Sequence, residues 1–359
     1  MKRSVFTILS ILIILILMFI FWPKPKPGST PSEARLGVFY SYRNAQYWEL
    51  DQKQSLDVLL SDFDFEWVTL PFFWNEMVDE HQNLKLETLN EQIETAKVHN
   101  LEVIITLGLK APGYPEFFYP QKYADSIIKG STITIGDPVS EEFLQILPKV
   151  VKDLSKNDNI KAWQIENEPL WTSQNGLKIS TDLIQKEIEI VRREDQKNRP
   201  VLLNHPATPP WNNDSQKVMG LLKKGDYLGI NVHTKTRPPV LVYFKLFGKL
   251  ISVPWPDFIN IPVYNLGPLS PNLQKLKTQA DKRELKTIIT ELQSEPYFTD
   301  NKKLQGRALF NFNPRDIETN VQLAKNAGID QITLWGSSFW LYSKQNGNNE
   351  WVDSVKNSF

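Results

Sequence analysis

Two glutamates stand at the ends of predicted strands and could act together on one polar bond. Residues 162–165 read as a buried strand, and Glu168 follows in the segment Asn167-Glu168-Pro169. Residues 287–290 form a second, β-branched run, and Glu291 comes directly after it. If the two strands are parallel, both carboxyls lie at the same edge of the sheet. Two carboxyls roughly 5 to 5.5 Å apart can supply the nucleophile and the proton donor for retaining glycoside hydrolysis.

The rest of the chain predicts the scaffold that would bring these carboxyls together. From residue 36 onward, strand-like and helix-like segments alternate, which is typical of parallel strands joined by crossover helices. The predicted strands are 36–40, 66–70, 102–107, 160–165, 201–204, 227–232, 286–290 and 331–335. The predicted helices after the first seven are 54–61, 86–99, 139–154, 183–195, 215–223, 272–283 and 315–326.

This order of elements predicts an α/β fold, a single-domain (β/α)8 barrel over residues 36–359. The competing fold is a doubly wound open sheet, but no Gly-rich phosphate loop follows the first strand. In a barrel the active site lies at the C-terminal ends of the strands. Glu168 follows strand four and Glu291 follows strand seven, so both are expected in one pocket. Either glutamate alone could equally be a helix cap or a solvated loop residue.

The composition narrows the range of partners. The 41 Lys and Arg balance the 41 Asp and Glu, so charge gives no reason to expect nucleic acid as a partner. The 11 Trp, 11 Tyr and 19 Phe offer flat apolar faces for sugar rings, although aromatic residues also fill large cores. The absence of Cys excludes disulfides and thiolate metal sites, and no His-Glu-x-x-His spacing occurs. We expect a monomer without metal or cofactor.

The N-terminus predicts a membrane anchor. Residues 5–22 are apolar apart from Thr7 and Ser10, a run of 18 residues. As a helix with a rise of about 1.5 Å per residue it would be roughly 27 Å long, close to the hydrocarbon thickness of a bilayer. Lys2 and Arg3 would stay in the cytoplasm and the barrel would be extracytoplasmic. The alternative is a secretory signal that is cleaved. Residues 23–35 are Pro-rich and predict a stiff linker.

Four motifs give the chain a family resemblance. They are LPFFW (70–74), WQIENEP (163–169), TELQSEPY (290–297) and LWG (334–336). Together with their strand positions they resemble the cellulase-like superfamily of retaining glycoside hydrolases, clan A, and most closely uncharacterised bacterial proteins of the cellulase family. The resemblance extends over residues 36–342. It implies a (β/α)8 barrel and a β-linked oligo- or polysaccharide substrate.

The resemblance also implies roles for single residues. Glu168 would be the acid/base and Glu291 the nucleophile, while Asn167 would hydrogen-bond the sugar 2-hydroxyl. Trp335, after strand eight, matches the aromatic floor beneath the sugar at the cleavage point. An acid/base needs a raised pKa, so we expect Glu168 to be less solvated than Glu291.

The chain departs from the clan at two positions. The clan places an Arg near the end of strand two, where this chain has Thr69, and a Tyr after strand six, where it has His233. His233 could take the place of the Tyr beside the nucleophile, bind substrate or be structural. Weaker candidates follow other strand ends. Tyr40, Trp74, Trp171 and Tyr297 could stack on sugar, and Lys110 and His205 could reach the pocket.

A long insertion interrupts the pattern at about residues 235–271. It is rich in aromatic residues and proline and contains few acids, so it is too apolar to be disordered. It could be a lid over the cleft, a surface that dips into the bilayer, or a loop packed on the rim.

The sequence leads us to expect a membrane-tethered, extracytoplasmic retaining β-glycosidase. A non-catalytic glycan-binding barrel is the alternative from another class, because the missing Arg could leave the nucleophile without support. A transglycosidase that remodels envelope polysaccharide would use the same two carboxylates.

Overall fold

The computed structural model contains a closed eight-stranded parallel barrel. It describes residues 33–113, 115–173, 176–207, 213–235, 240–246, 249–254, 271–298, 308–309 and 312–359. The barrel strands are β1 (Arg35–Phe39), β2 (Trp67–Pro71), β3 (Glu102–Leu107), β4 (Ile160–Ile165), β5 (Val201–Pro206), β6 (Tyr227–Val232), β7 (Lys286–Gln293) and β8 (Gln331–Trp335). Each strand pairs with its neighbours in chain order, and β1 closes the barrel by pairing with both β2 and β8.

The prediction of a single (β/α)8 barrel is therefore confirmed. The main helices are α1 (Gln52–Asp62), α2 (Glu87–Val98), α3 (Pro138–Leu154), α4 (Thr181–Glu194), α5 (Asp214–Leu221), α6 (Leu273–Asp281), α7 (Arg315–Asn326), α8 (Ser337–Gln345) and α9 (Glu350–Lys356). Short helices at Tyr42–Tyr47 and Trp74–Met77 precede the main helices after β1 and β2. The strand and helix order matches the expected alternation, with boundaries that move by a few residues at most.

Local sequence signals explain where several helices begin. The Asp51 side chain accepts a hydrogen bond from the Gln54 N–H (2.7 Å) and caps α1, while Ser180 caps α4 through the Leu183 N–H (3.2 Å). Helix α3 begins with Pro138, whose fixed φ suits a first helical position. The apolar residues of α3 and α4 recur at helical spacing, so each helix buries one face against the strands.

A plug of side chains fills the N-terminal half of the barrel. Its members come from β2 to β7 and are Trp67, Ile104, Ala162, Leu202, Tyr227 and Ile288. The Trp67 indole spans the interior, and its Nε1–H donates to Thr333 Oγ1 on β8 (3.0 Å). Gly37 on β1 makes room for this ring, because a Cβ there would lie 2.1 Å from indole atoms. The interior below the site is thus a packed core, as in other barrels of this type.

Strand β7 contains an irregularity just below the expected pocket. Ile289 pairs with Ile230 of β6, but the next paired residue is Glu291, opposite Asn231, so Thr290 is an extra residue. A β-bulge of this kind interrupts the strict alternation of side chains and re-aims them. Thr290 and Glu291 can consequently both face the interior. The predicted strand ended at Thr290, whereas the observed strand continues to Gln293.

Several predictions concern the ends and the insertion. Residues 1–32, including the predicted membrane helix and most of the linker, lie outside the described residues. Within the part of the chain that the structure describes, no helix is long and apolar enough to cross a membrane. In the insertion, Val240–Leu246 and Lys249–Pro254 pair as an antiparallel hairpin, which the prediction of a loop did not include. Residues 255–270 of the insertion are outside the described ranges.

Candidate active site

Glu168 lies just beyond the C-terminal end of β4 and is partly exposed at the mouth of the barrel. Its Oε1 accepts a hydrogen bond from Asn231 Nδ2 (2.8 Å), and its backbone N–H donates to Asn204 Oδ1 (2.7 Å). Burial of the carboxyl, and then the negative charge of Glu291, raise the pKa of Glu168 to about 7, although Lys110 and His233 oppose the shift. Near neutral pH this carboxyl can therefore both donate and accept a proton.

Glu291 lies on β7 next to the bulge and is only 6% exposed. Its Oε2 is 3.0 Å from His233 Nε2. Burial disfavours the imidazolium, but the hydrogen bond to Glu291 and the charges of Glu291 and Glu168 outweigh it, so the pKa of His233 is raised. Nε2 then carries a proton that it donates to the carboxylate. Glu291 Oε1 is buried and accepts no hydrogen bond from any described residue, which leaves one carboxylate oxygen uncommitted.

Strand β6 brings these two carboxyls together. Asn231 and His233 are two positions apart, and side chains at this spacing face the same side of a strand. Asn231 holds Glu168 and His233 holds Glu291. The two carboxyl groups are therefore anchored at neighbouring points of the same strand. The prediction that Glu168 and Glu291 converge on one pocket agrees with this geometry.

A buried network of amides connects strands β4 to β7 beneath the pocket. Asn204 Nδ2 on β5 donates to Asn167 Oδ1 (2.7 Å) and to Asn231 Oδ1 (3.2 Å). Thr290, the extra residue of the bulge, donates its hydroxyl to Asn231 Oδ1 (2.5 Å). Because Asn204 occupies the oxygen of Asn167, the Asn167 NH2 is the group left to donate to a ligand. The same network fixes the Asn231 NH2 toward Glu168.

An aromatic wall rises opposite this network, at the ends of β1 and β8. Trp335 is partly buried and stacks on Phe39 with ring centroids 4.5 Å apart. Its Nε1–H donates to Glu295 Oε1 (2.9 Å), and its ring lies edge-on to His233 at 6.5 Å. Burial raises the pKa of Glu295 to about 7, against the effects of the Trp335 hydrogen bond and the His233 charge. Trp335 thus lies beside the Glu291–His233 pair, as expected for a floor residue.

The expectation that Glu168 is the less solvated carboxyl is wrong. Glu168 is partly exposed, whereas Glu291 is almost completely buried. The reason is the bulge, which places Glu291 on the strand itself, while Glu168 follows β4 at the rim. The raised pKa of Glu168 depends on its surroundings as a whole, including the charge of Glu291, rather than on low exposure alone.

Tyr40 and Trp74 do not contact the pocket, which corrects two predictions. The barrel side chains Gly37 and Phe39 point inward, so Tyr40 points outward, where its hydroxyl contacts Gln52 O (2.5 Å) and Ser55 Oγ (2.9 Å) of α1. Trp74 is fully buried and packs beside Tyr123 and Phe143 in the helical layer. Neither ring has a surface on which a sugar could stack.

The other weaker candidates have mixed outcomes. His205 is buried on the outward side of β5 and its pKa is lowered to about 4 by burial, so it does not reach the pocket. Trp171 is partly exposed in the loop after β4, and its ligand contact stays a prediction. The Tyr297 backbone pairs with Leu309 in a short antiparallel ladder, and its side chain lies outside the described residues. Thr69 is buried on β2.

Three residues of this site were not predicted from the sequence. Asn231 could have been found, because it stands two positions before His233 at the end of a strand. Asn204 and Glu295 had no comparable signal, since their importance depends on contacts across three strands. Within the described ranges, no three His, Asp or Glu side chains are grouped so that they could bind a metal ion.

The fold and the site together define a class of protein. A (β/α)8 barrel with glutamates at the ends of strands four and seven is the arrangement of the clan A glycoside hydrolases. A family profile described as cellulase, glycosyl hydrolase family 5, matches residues 33–235, more than half of the chain. The chain belongs to glycosyl hydrolase family 5. Among curated proteins, none matches its sequence.

Solved structures share the barrel at low sequence identity. A cold-adapted β-galactosidase from Rahnella sp. R3 superposes with a TM-score of 0.54 at 13% identity over 87% of this chain and 51% of its own. A β-galactosidase from the psychrophilic Marinomonas ef1 gives 0.53 at 10% identity, over 84% and 53%. A GH5_18 protein from Streptomyces cattleya, in complex with GlcNAc, gives 0.53 at 11% identity, over 85% and 71%. The chain spans about half the length of the two β-galactosidases, and these likenesses support the fold alone.

Proposed function

We propose that this protein is a retaining glycoside hydrolase that acts on a β-linked glycan by double displacement. The observation that supports the proposal most strongly is the pairing of the carboxyls by β6, in which Asn231 holds Glu168 and His233 holds Glu291. This arrangement places a proton donor with a pKa of about 7 beside a buried carboxylate with one uncommitted oxygen. Family membership supports the same chemistry.

In the first step, Glu291 Oε1 attacks the anomeric carbon and Glu168 protonates the departing glycosidic oxygen. The bond from the anomeric carbon to the leaving oxygen breaks, and a glycosyl ester of Glu291 forms. His233 holds the other oxygen of Glu291 in place. In the second step, Glu168 takes a proton from water, which attacks the anomeric carbon and releases Glu291. Asn167 would donate its NH2 to the sugar 2-hydroxyl, and Trp335 would pack under the ring.

The test is a hydrolysis assay of the purified protein with a panel of 4-nitrophenyl β-glycosides and β-linked oligosaccharides. We expect turnover with retention of configuration by NMR. Glu168→Ala and Glu291→Ala should each lose about 10³-fold or more in kcat/KM with 4-nitrophenyl substrates. Glu91→Gln, an exposed glutamate on α2, is the matched control and should keep full activity.

Added azide separates the two roles. Azide should rescue Glu168→Ala by attacking the glycosyl ester and give a β-glycosyl azide, whereas it should rescue Glu291→Ala by direct displacement and give an α-glycosyl azide. The same product from both variants would contradict the assigned roles. Absence of turnover together with equal sugar binding by wild type and both variants would instead favour the glycan-binding barrel. Transfer to an added acceptor sugar in preference to water would favour the transglycosidase.

We also propose that residues 5–22 tether the barrel to a membrane with the barrel outside the cytoplasm. Support comes from the sequence alone, namely the 18-residue apolar run behind Lys2 and Arg3. The full chain should resist extraction from membranes by alkaline carbonate, and protease added to intact spheroplasts should degrade the barrel. Release of a shorter chain into the medium would identify a cleaved signal instead.

A further inference from the structure

A buried polar cluster lies beneath the loop that contains Glu168, and the proposed mechanism does not use it. Glu166 is fully buried, and its carboxylate accepts hydrogen bonds from the backbone N–H groups of Leu109 (2.8 Å) and Lys110 (2.6 Å) in the loop after β3. Gly108 makes this contact possible, because a Cβ there would lie 2.4 Å from the Glu166 carboxyl. Glu166 therefore fastens the loop after β3 to the end of β4.

Lys110 makes the return connection. Its side chain is buried, with the residue only 1% exposed, and its Nζ donates to the carbonyl oxygens of Glu168 (3.1 Å) and Trp171 (3.4 Å). Its own carbonyl accepts the N–H of Asn167 (2.9 Å). The lysine thus contacts the Asn167–Trp171 loop on both sides of Glu168. Burying an ammonium group with only neutral partners costs free energy, so this arrangement needs nearby negative charge.

The negative charge comes from two carboxyls on either side of the lysine. The positive charge of Lys110 lowers the pKa of Glu166 and of Glu168 relative to what burial alone would give. On the far side of Glu166, the fully buried Glu187 of α4 faces it closely enough to share a proton. Neither Glu187 oxygen has another described partner. With a proton between them, the two glutamates contribute one negative charge, which balances Lys110.

We propose that Lys110 is a positioning residue for Glu168: its ammonium group fixes the backbone on which the acid/base glutamate stands. The inference rests on the proposed function and adds to it a buried support that comes from strand three. Glu166 holds the lysine backbone, and Glu187 supplies the proton that keeps the cluster balanced. The other groups that face the Glu168 carboxyl are Glu291 of β7, together with Asn231 and His233 of β6.

Two consequences distinguish positioning from a merely structural role. Removing the charge of Lys110 withdraws a stabilising partner of the Glu168 carboxylate, so the basic limb of the kcat/KM profile should move to higher pH. Losing the two carbonyl contacts should displace Glu168 from the leaving oxygen. Substrates whose leaving group needs a proton should then suffer, while 2,4-dinitrophenolate, which departs without one, should be little affected.

The experiment compares kcat/KM for 2,4-dinitrophenyl and phenyl β-D-glucosides, or the galactosides if the wild type prefers them, across pH. We expect Lys110→Met to lose about 10²-fold with the phenyl glycoside, in the range of general acid catalysis, and less than about 5-fold with the dinitrophenyl one. Lys110→Gln keeps N–H donors but no charge, so it should show the pH shift with a smaller loss. Lys161→Met is the matched control. That side chain is 7% exposed, lies near the start of β4 and pairs with Glu102 (2.8 Å), so its loss should lower stability alone.

An unchanged ratio between the two substrates and an unchanged basic limb in folded Lys110→Met would overturn the inference. If the Met variant does not fold, Lys110→Gln and Lys110→Arg provide the same comparison. A wild-type crystal structure with Nζ beyond about 3.5 Å from both carbonyl oxygens would also overturn it, because no hydrogen bond would exist. Failure of the proposed function looks different: the wild type would hydrolyse neither glycoside.

Discussion

Glu166 and Glu168 both have backbone conformations that are unusual for residues other than glycine. Their φ values are 59° and 47°, in the left-handed region, which costs about 1 to 3 kcal/mol per residue when surrounding contacts impose it. The contacts are visible in both cases. Glu166 receives two backbone N–H groups, and the Glu168 N–H binds Asn204. The conformation directs one carboxyl into the support beneath the loop and the next into the pocket.

His233 should be essential because it is the one described side chain that donates to Glu291. His233→Phe removes that donor and the associated positive charge while it keeps a ring of similar size. A hydrogen bond to a charged group contributes about 1.5 to 3 kcal/mol, so we expect kcat/KM to fall by about 10- to 100-fold. Steady-state kinetics on the best aryl glycoside, with the exposed His81→Phe as control, would measure it. Equal loss in both variants, or none in either, would contradict the assignment.

The sequence allowed some single residues to be predicted and not others. His233 was identified as a possible partner of the nucleophile because it directly follows a strand at the position where the clan has a Tyr. Tyr40 also follows a predicted strand closely, yet it faces outward because β1 alternates with Gly37 and Phe39 inside. A strand end therefore predicts nearness to the pocket, but the direction of a side chain depends on the register, which a single sequence does not reveal.

At the scale of elements, strand order was predictable because hydrophobic periodicity and helix length recur along the chain. The bulge at Thr290 was not, since the segment 286–290 reads as a regular strand and its register depends on pairing with β6 and β8. That single extra residue decides how deeply Glu291 is buried. The apolar stripe of α4 was also recognisable, and Glu187 within it was a detectable anomaly, because a charged residue on a buried face requires a partner.

The contact between α4 and β4 should make stability depend on pH. Burial raises the pKa of Glu187 well above its ordinary value, and the adjacent Glu166 adds to this shift. A carboxyl with a raised folded-state pKa stabilises the fold fully below its unfolded pKa of about 4.3, and this contribution is lost as pH rises toward the folded value. Glu187→Gln cannot ionise and can still donate to Glu166. The variant should therefore become progressively more stable than the wild type as pH rises above about 5.

Urea unfolding from pH 5 to pH 9 would measure this difference. The slope should approach about 1.4 kcal/mol per pH unit where one proton is released, and Glu189→Gln, exposed on the same helix, should show no such trend. Parallel stability curves for wild type and Glu187→Gln would show that the buried pair does not retain its proton. The result also bears on the support of Lys110, because it tests the charge balance of that cluster directly.

At the scale of the whole molecule, the barrel separates stability from chemistry along its axis. The N-terminal half is filled by the apolar plug around Trp67, and the polar residues of the site form the layers above it. The inward residues of β1 illustrate the division, since Gly37 accommodates Trp67 while Phe39 supports Trp335 two positions later. Composition predicted a large aromatic content, but which rings fill the core and which border the pocket depends on this layering.

Gly37→Ala should therefore weaken the closure of the barrel between β1 and β8. The new methyl would lie 2.1 Å from the Trp67 indole, which cannot withdraw easily because it is fully buried and bonded to Thr333. Overpacking of this kind costs about 1 to 3 kcal/mol or more in the free energy of unfolding. Urea denaturation would measure the loss, and Gly220→Ala in α5, where a Cβ meets no atom within 4 Å, is the matched control. The control should be neutral or slightly stabilising, as expected for alanine in a helix.

A second substitution identifies the cause of that loss. Trp67→Phe removes the part of the indole that the new methyl would strike, at the expense of a cavity and of the hydrogen bond to Thr333. If the clash is responsible, the double variant should be more stable than the sum of the single effects predicts, with a coupling free energy of about 1 kcal/mol or more. Strictly additive effects would show that Gly37 is needed for its backbone and not for the space it leaves. In that case the Trp67 ring would not determine how β1 and β8 meet below the active site.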